Sequence, residues 1–243
     1  MPKQADIYDP SFVKGVFDRC SEKYIAFSYV CSMGFTERWR RQCVELFVVD
    51  FPSGATGYDL MAGTGEAWPH LLKRFPAIDQ IQAVDISEGM HKRAMDRLHK
   101  MRAHKISHLE QDVLRTELKP ESADFILSTF GLKTFNSEQL EALAARIAVA
   151  LKPGGQFALL EASDPRGWWL RPLYLFHLKR VLPVIEKLFL GGAEDFAMIG
   201  TYSTNFGDAS DFCEMLKAHG LHVRFKKHFF GCATSVSGYR ELE

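Results

Sequence analysis

The 243-residue sequence has no net charge of either sign and few cysteines for its length. Its 30 basic residues balance 30 acidic ones, so no overall field attracts nucleic acid. The 5 cysteines form no CxxC pair and no metal-type cluster, which favours a reducing compartment over a disulfide scaffold or a metal site. We therefore expect a cytoplasmic protein that holds no metal and contacts no nucleic acid.

Long apolar runs and several short enzyme motifs are also missing. No segment reaches the roughly 18 uninterrupted apolar residues that span a bilayer. Residues 1–6 lack the apolar stretch of a signal peptide, so we expect no leader. The sequence contains no P-loop, no HExxH zinc motif and no nucleophile elbow, which argues against the enzyme classes that depend on them.

Strand-like and helix-like segments alternate through the middle of the chain, which predicts an α/β Rossmann-like fold with a doubly wound, mostly parallel sheet. In such sheets a ligand binds beyond the carboxyl ends of the strands. The tail predicts an antiparallel edge hairpin around Gly231. Strands are predicted at 57–61, 81–85, 108–111, 125–128, 156–161, 223–230 and 232–238, and helices at 66–74, after Ser87, at 137–151 and at 208–219.

We expect one domain over residues 1–243. Helical spacing of apolar residues predicts two N-terminal helices within 11–50. The cofactor-binding core is predicted at 55–161. Residues 166–207 break the alternation with aromatic and aliphatic side chains, and we expect a helical insert that covers the substrate site.

A glycine turn after the first predicted strand is the strongest functional signal. Gly63 and Gly65 lack a Cβ, so the backbone can turn tightly there and approach a ligand closely. Asp85 lies 20 residues past Gly65, where such units place an acid on ribose hydroxyls. The alternative is a plain strand-to-helix turn, but the acids around it favour a cofactor that contains adenosine.

The residues around the turn discriminate between adenosine cofactors. Where a dinucleotide site has its third glycine this chain has Trp68, and Glu66 stands where a pyrophosphate would bring negative charge. S-Adenosylmethionine carries a sulfonium and an ammonium, so the carboxylates of Asp59 and Glu66 suit it electrostatically. The sequence therefore predicts S-adenosylmethionine rather than NAD.

Two further segments at strand ends supply candidate site residues. Asp112 can accept a hydrogen bond from an adenine amino group, or it can cap a loop. Residues 128–135 mix hydroxyls, aromatics, a glycine and a cation, which is typical of a pocket wall but also of an ordinary polar loop. The predicted cofactor site consists of Asp59, Met61, Ala62, Gly63, Gly65, Asp85, Ile86, Met90, Asp112, Val113 and Ser128.

The helix predicted over 87–105 carries many lysines, arginines and histidines. Its histidines do not share one face with an acid at ligand spacing, so metal binding is a poor interpretation. A solvated basic surface explains the pattern, and contact with anionic lipid is the alternative.

Beyond these motifs, the chain resembles the ubiquinone/menaquinone biosynthesis C-methyltransferases, a class I S-adenosylmethionine-dependent family, nearly from end to end. Methyltransferases at large share only the middle blocks, so the matches in the start, the Phe130-Gly131-Leu132 stretch and the tail are the more specific ones. The matching segments are Val16-Phe17-Asp18, Tyr24, Ser32, Gly34, Trp39-Arg40, Ala62-Gly63-Thr64-Gly65, Val84-Asp85-Ile86-Ser87, Phe130-Gly131-Leu132, Leu151-Lys152-Pro153-Gly154-Gly155, Leu160-Glu161-Ala162-Ser163-Asp164-Pro165, Tyr174, Leu182-Pro183, Phe206, Gly231 and Gly238-Tyr239.

The resemblance implies methyl transfer to a carbon of a quinol-like or prenylated small molecule, and association as a homodimer. It also exposes departures. Lys133-Thr134 stands where the family usually has Arg-Asn facing the quinol ring, and lysine lacks the planar, five-donor fork of arginine. Ile25, Ser28 and Val236 replace a usual Asp, Asn and His.

The chemistry requires an electron-rich acceptor aligned with the sulfonium methyl, exclusion of water and help with deprotonation. Lys133 is predicted to hold a developing phenolate or enolate, or to act as a base if burial favours its neutral form. Tyr24 and His177 are further catalytic candidates, with core aromatics as the alternative. Phe130, Thr134, Trp169 and Tyr174 are predicted to bind the substrate.

Three functions therefore stay open from sequence. The first is a C-methyltransferase of quinol-like or prenylated rings, with peripheral membrane contact. The second is a methyltransferase of the same fold that acts on the nitrogen, oxygen or carbon of a secondary metabolite, which Lys133-Thr134 favours. The third is a cofactor-binding protein that serves an assembly without catalysis.

Overall fold

The computed structural model describes residues 6–189 and 195–242. Within them, seven strands form one sheet in the order β3-β2-β1-β4-β5-β7-β6. The strands β1 to β5 pair in parallel, whereas β7 runs antiparallel to both β5 and β6. The strands are β1 (Ala55–Leu60), β2 (Ile78–Asp85), β3 (Ile106–Glu110), β4 (Ala123–Thr129), β5 (Leu151–Ala162), β6 (Leu221–His228) and β7 (Ala233–Arg240).

Helices cover both faces of the sheet, as its nearly continuous apolar central strands require. One apolar core includes Trp39, Trp68 and Leu98, and the other includes Leu143 and Phe212. The predicted Rossmann-like fold with an antiparallel C-terminal hairpin is confirmed. The helices are α1 (Pro10–Cys20), α2 (Tyr24–Cys31), α3 (Phe35–Val44), α4 (Trp68–Arg74), α5 (Glu88–Met101), α6 (Ser137–Ala150), α7 (Arg171–Phe176), α8 (Leu182–Phe189), α9 (Asp195–Phe206) and α10 (Ser210–Ala218).

The prediction of two helices before the first strand is wrong, because three are present. The break that sequence periodicity missed lies at Met33 and Gly34, whose φ angles of 51° and 79° place them in the left-handed region. Ser32 ends α2, and its Oγ accepts from the backbone N–H of Thr36 at 3.2 Å, which supports the start of α3. This break lets α2 and α3 form separate walls above the sheet.

The start of α5 joins the N-terminal helices to the carboxyl ends of the strands. Ser87 is the N-cap of α5, since its Oγ accepts from the backbone N–H of Met90 at 3.1 Å. The same hydroxyl donates to Asp18 of α1 at 2.6 Å, and Asp18 also accepts from the backbone N–H of Gly89 at 3.0 Å. These bonds hold α1 beside Asp85, where β2 ends.

The insert over residues 166–207 is helical where the structure describes it, and its residues 190–194 lie outside the described residues. A π-helical turn, His177–Val181, joins α7 to α8. The Tyr202 hydroxyl of α9 donates to the carbonyl of Ile7 at 2.6 Å, which ties the insert to the segment before α1. Among the described helices, none has the length and apolar character to cross a membrane.

Candidate active site

A first cavity, here called the cofactor cavity, lies at the carboxyl ends of β1, β2 and β4. The chain leaves β1 through residues of positive φ, including Gly63 at 57° and Gly65 at 76°. A Cβ on Gly65 would lie 2.3 Å from the Trp68 ring, whereas a Cβ on Gly63 would meet nothing within 4 Å. Gly65 is therefore required for both space and backbone conformation, and Gly63 for conformation.

Asp85 is fixed at the edge of the cofactor cavity by two backbone donors. Its Oδ2 accepts from the N–H of Gly63 at 2.8 Å, and its Oδ1 accepts from the N–H of Ser87 at 2.9 Å. Burial raises the pKa of the Asp85 carboxyl to about 6, against the lowering effect of these donors. The carboxylate is thus oriented, with acceptor capacity left for hydroxyls of a ligand.

Most of the predicted cofactor residues meet in this cavity. Asp59, Gly65 and Ser128 do not line it, and Thr129 takes the wall position one residue after Ser128. The Ser128 hydroxyl is buried without a partner among the described residues. The predicted residues that line the cavity are Met61, Ala62, Gly63, Asp85, Ile86, Met90, Asp112 and Val113.

Asp59 lies behind the cavity wall rather than in it. Its carboxyl is 1% exposed, and its Oδ2 accepts from the Trp68 indole N–H at 2.7 Å. Its Oδ1 has no partner within the described residues, and burial raises the pKa of this carboxyl to about 7. A buried carboxylate oxygen without a donor is costly, and the raised pKa of Asp59 reflects that cost.

Glu66 lines the cofactor cavity between two guanidinium groups. Its Oε2 lies 3.5 Å from Arg40 Nη2, and its Oε1 lies 3.3 Å from Arg97 Nη2. Arg97 also donates from Nε to the carbonyl of Thr64 at 2.7 Å. The acid that favours a sulfonium in the sequence is therefore paired with two cations in the fold.

The N-terminal segment closes the cofactor cavity, which the sequence did not predict. Tyr8, Val13 and Phe17 line it from α1 and the residues before it, and Gln139 of α6 lines it too. The sequence motifs lie at the strand ends only, so they do not indicate these walls. The periodic apolar face of α1 was the one signal that could have suggested them.

A second cavity, here called the acceptor cavity, has a volume of about 490 Å³ and lies between α2, α3 and the insert. Aromatic and aliphatic side chains make most of its wall, and the volume lies within the range of about 300–1,000 Å³ of small-molecule sites. The predicted residues that line it are Tyr24, Phe130, Lys133, Tyr174 and His177.

Two predicted substrate residues lie elsewhere. Thr134 lines the cofactor cavity instead, and its hydroxyl donates to the carbonyl of Gly131 at 2.7 Å. Trp169 is 81% exposed and lines neither cavity, whereas its neighbour Trp168 lines the acceptor cavity and stacks on Phe230 at 5.2 Å. The sequence pair Trp168-Trp169 gave no signal for which indole points inward.

Lys133 forms a buried ion pair at the base of the acceptor cavity. Its side chain is 4% exposed, and its Nζ lies 2.6 Å from Oε1 of Glu161, whose side chain is fully buried. The Nζ also donates to the carbonyl of Phe130 at 3.0 Å. A lysine ammonium has three donors, so one remains for a ligand in the cavity.

The two cavities share a wall of three residues, here called the junction: Tyr24, Arg40 and Phe130. The Arg40 guanidinium carbon lies 5.1 Å from the centre of the Phe130 ring. Burial raises the pKa of the Tyr24 phenol far above its usual range, so this hydroxyl stays protonated and can donate. A ligand in one cavity therefore meets a ligand in the other at this wall.

The family model described as the ubiE/COQ5 methyltransferase family matches residues 4–240. The chain belongs to the ubiE/COQ5 methyltransferase family. As a member, it is an enzyme that uses S-adenosylmethionine as the methyl donor, which confirms the predicted class and cofactor. The glycine turn and the oriented Asp85 at the edge of the cavity fit that cofactor.

Two relatives of this ubiE/COQ5 family member align with it over almost their whole length. It is 25% identical to a demethylmenaquinone methyltransferase of Lactiplantibacillus plantarum, over 95% of this chain and 97% of the other. It is 27% identical to a demethylmenaquinone methyltransferase of Staphylococcus aureus strain JH9, over 95% of this chain and 94% of the other.

A solved structure shares the fold. Phosphoethanolamine N-methyltransferase 2 of Haemonchus contortus, in complex with phosphomonomethylethanolamine and S-adenosylhomocysteine, aligns with a TM-score of 0.62 and 14% identity. The alignment covers 99% of this chain and 61% of that one. At this identity the likeness establishes the fold alone.

Proposed function

We propose that this enzyme transfers a methyl group to a ring carbon of a quinol-like acceptor that carries a hydrocarbon tail. The observation that carries the proposal is the apolar acceptor cavity of about 490 Å³, which meets the cofactor cavity at the junction. The polar groups of a polar metabolite would find few hydrogen-bond partners on this mostly apolar wall. The two demethylmenaquinone methyltransferases among the relatives support the same acceptor class.

Bound S-adenosylmethionine supplies a methyl group on a positively charged sulfur that is a good leaving group. The residues of the chain have to align the acceptor carbon, exclude water and favour the anionic form of the ring. In this proposal the third Lys133 donor holds a ring oxygen, while the ion pair with Glu161 fixes the position of the Lys133 side chain. Tyr24 and His177 both line the acceptor cavity, and we propose that Tyr24 donates a hydrogen bond to the acceptor and that His177 accepts a proton.

A rim of exposed apolar side chains surrounds the acceptor cavity. Met33, Leu173, Phe176 and Phe229 line the cavity, and each is at least 45% exposed. We propose that the tail of the acceptor leaves the cavity across this rim, which would give the enzyme peripheral contact with a membrane. Assembly as a homodimer, a cytoplasmic location and the lack of nucleic-acid contact stay predictions from the sequence.

The test is methyl transfer from labelled cofactor to quinols of one ring structure and increasing tail length. We expect labelled C-methyl product and a kcat/KM that rises with tail length, because each buried methylene adds about 0.8 kcal/mol of binding. The Trp168→Ala variant should raise KM for the long-tailed quinol more than Trp169→Ala does, since only the first indole lines the cavity.

The matched tryptophan pair also separates the competing function. If no quinol is labelled, while a short polar metabolite is, the acceptor cavity does not hold a tail and the second sequence hypothesis replaces the proposal. Equal effects of the two tryptophan variants would likewise argue that the tail does not lie in this cavity.

A further inference from the structure

Arg40 is the one cation of the described residues that lines both cavities. It lies on α3, is 5% exposed, and has its guanidinium carbon 5.1 Å from the centre of the Phe130 ring. A buried guanidinium at the boundary between the two cavities is expensive unless its donors are satisfied.

The hydrogen bonds of Arg40 are incomplete within the described residues. Its Nη2 lies 3.5 Å from Oε2 of Glu66, a long ion pair, and Glu66 is also paired with Arg97. Its Nε is buried and has no hydrogen-bond partner in the part of the chain described. Leaving a charged donor buried and unpaired costs more than about 1–3 kcal/mol, so the arrangement calls for an additional acceptor.

The Arg40 side chain lies at the junction, where a ligand oxygen would supply a further acceptor for its guanidinium. Lys133 Nζ lies 5.8 Å from the centre of the same Phe130 ring. Two cations thus approach one aromatic ring from elements that are far apart in the sequence. The carboxylates paired with them each accept a second donor: Glu66 from Arg97, and Glu161 from the backbone N–H of Lys133.

We propose that Arg40 is a substrate-binding residue whose guanidinium donates to an anionic ring oxygen of the acceptor. The inference rests on the proposed function. In the reaction the ring O–H proton leaves to solvent, the ring carbon forms a bond to the methyl carbon as the carbon–sulfur bond breaks, and the ring C–H proton is then lost as the hydroxyl re-forms. One proton is released overall, and none moves to or from Arg40, which stabilises the oxyanion.

A binding experiment without turnover tests this role. The probes are 2-hydroxy-1,4-naphthoquinone, an anion at neutral pH, and the neutral 1,4-naphthoquinone, with S-adenosylhomocysteine present at saturation. Arg40→Gln is expected to weaken binding of the anion about 10- to 100-fold and binding of the neutral quinone less than about threefold, as for the loss of a charge-assisted hydrogen bond. Equal losses for the two probes, or no loss, would overturn the proposal.

Arg97→Gln is the matched control, because Arg97 is the other partner of Glu66 and lines neither cavity. The anion-to-neutral affinity ratio of this variant should stay within about threefold of that of the wild type. The double variant Arg40→Gln/Glu66→Gln also removes the carboxylate that loses its Arg40 partner in the single variant. It should bind the anion as weakly as Arg40→Gln does. Recovery of anion binding would show that Arg40 acts only by neutralising Glu66.

The carboxylate of the cofactor is the other source of an anionic oxygen. Calorimetry with S-adenosylhomocysteine separates the two, since the proposal predicts that Arg40→Gln changes this affinity by less than about threefold. A loss of more than about tenfold there, with anion binding intact, would assign Arg40 to the cofactor and overturn the proposal. If Arg40→Gln does not fold, Arg40→Lys keeps the charge but not the fork and should show an intermediate loss of the anion only.

Turnover with a quinol distinguishes this inference from the proposed function. Failure of the wild type to methylate any quinol would defeat the proposed function, while the probe comparison would still decide whether Arg40 binds an oxyanion. Quinol methylation by Arg40→Gln at the wild-type kcat/KM would defeat the inference and leave the proposed function standing.

Discussion

Replacing Lys133 by Met should abolish most methyl transfer and also destabilise the protein, and the two effects can be separated. The ammonium lies 2.6 Å from Glu161, and both side chains are buried. Breaking a buried pair from one side costs about 3–5 kcal/mol, because the remaining charge is uncompensated. In the variant, Glu161 still accepts from the backbone N–H groups of Lys133 at 3.1 Å and Ala162 at 2.7 Å. We therefore expect the free energy of unfolding to fall by about 3 kcal/mol, the lower end of this range.

Turnover of Lys133→Met should fall about 10²- to 10³-fold at saturating cofactor, as for the removal of one donor to a developing oxyanion. The double variant Lys133→Met/Glu161→Gln removes the stranded charge along with its partner. It should recover most of the free energy of unfolding, measured by urea denaturation, but not the turnover. Calorimetry with S-adenosylhomocysteine should give the wild-type affinity for both variants, because Lys133 does not line the cofactor cavity.

Two outcomes would refute the reasoning about Lys133. Unchanged turnover in the single variant would show that no acceptor group depends on its third donor. Turnover that returns together with stability in the double variant would show that the ion pair only shapes the cavity, with no direct role in the reaction.

Three other predictions follow from the cofactor side of the site. Since the pKa of Asp85 is raised to about 6, calorimetry should show cofactor affinity falling about tenfold per pH unit below that value as the carboxylate protonates, and Asp85→Asn should abolish this slope. The pKa of Asp59 is about 7 in the folded state and about 3.9 unfolded, so its ionisation removes about 4 kcal/mol of stability as pH rises between them. Asp59→Asn should therefore be more stable than the wild type in urea at about pH 8, by about 1–3 kcal/mol after the cost of an unpaired amide. Gly65→Ala should lower the free energy of unfolding by more than Gly54→Ala, because both have φ near 80° but only Gly65 faces the Trp68 ring. Equal losses in the two glycine variants would refute the steric argument, and an unchanged pH slope in Asp85→Asn would refute the ribose assignment.

The cofactor half of the site was predictable because its information is local. Parallel strands bring their carboxyl ends to one edge, so the residues after β1, β2 and β3 had to meet there. The errors lie where a side chain's direction decides. Asp59 of β1 and Ser128 of β4 lie near the strand ends but do not line the cavity. The sequence does not indicate which side chains of a buried strand face a ligand.

The acceptor half was less predictable because distant elements build it. Arg40 comes from a helix that sequence periodicity merged with its neighbour, and only the break at Gly34 brings its guanidinium to the junction. Phe130 has a φ of 68°, a left-handed conformation that is unusual for an aromatic residue and that the sequence does not signal. The insert has no regular period, so the inward direction of Trp168 could not be read from it.

The segment Lys152-Pro153-Gly154-Gly155 shows that composition alone does not separate a turn from a strand start. Its proline and glycines are typical of a turn after a helix, yet it lies at the start of β5, where the register against β4 shifts. Glycine suits both a turn and an irregular strand end, because both can require a positive φ angle, here 78° at Gly154.

The central claim is transfer of a methyl group to carbon in the acceptor cavity. The direct measurement is nuclear magnetic resonance of the product formed from ¹³C-methyl-labelled S-adenosylmethionine and a tailed quinol, with the wild-type enzyme and with Lys133→Met/Glu161→Gln. Methyl transfer to carbon in this cavity predicts a labelled methyl carbon bonded to a ring carbon in the wild-type product, and formation of that product at least about 10²-fold slower in the double variant. A labelled methyl on oxygen or nitrogen, or equal rates in the two proteins, would contradict it.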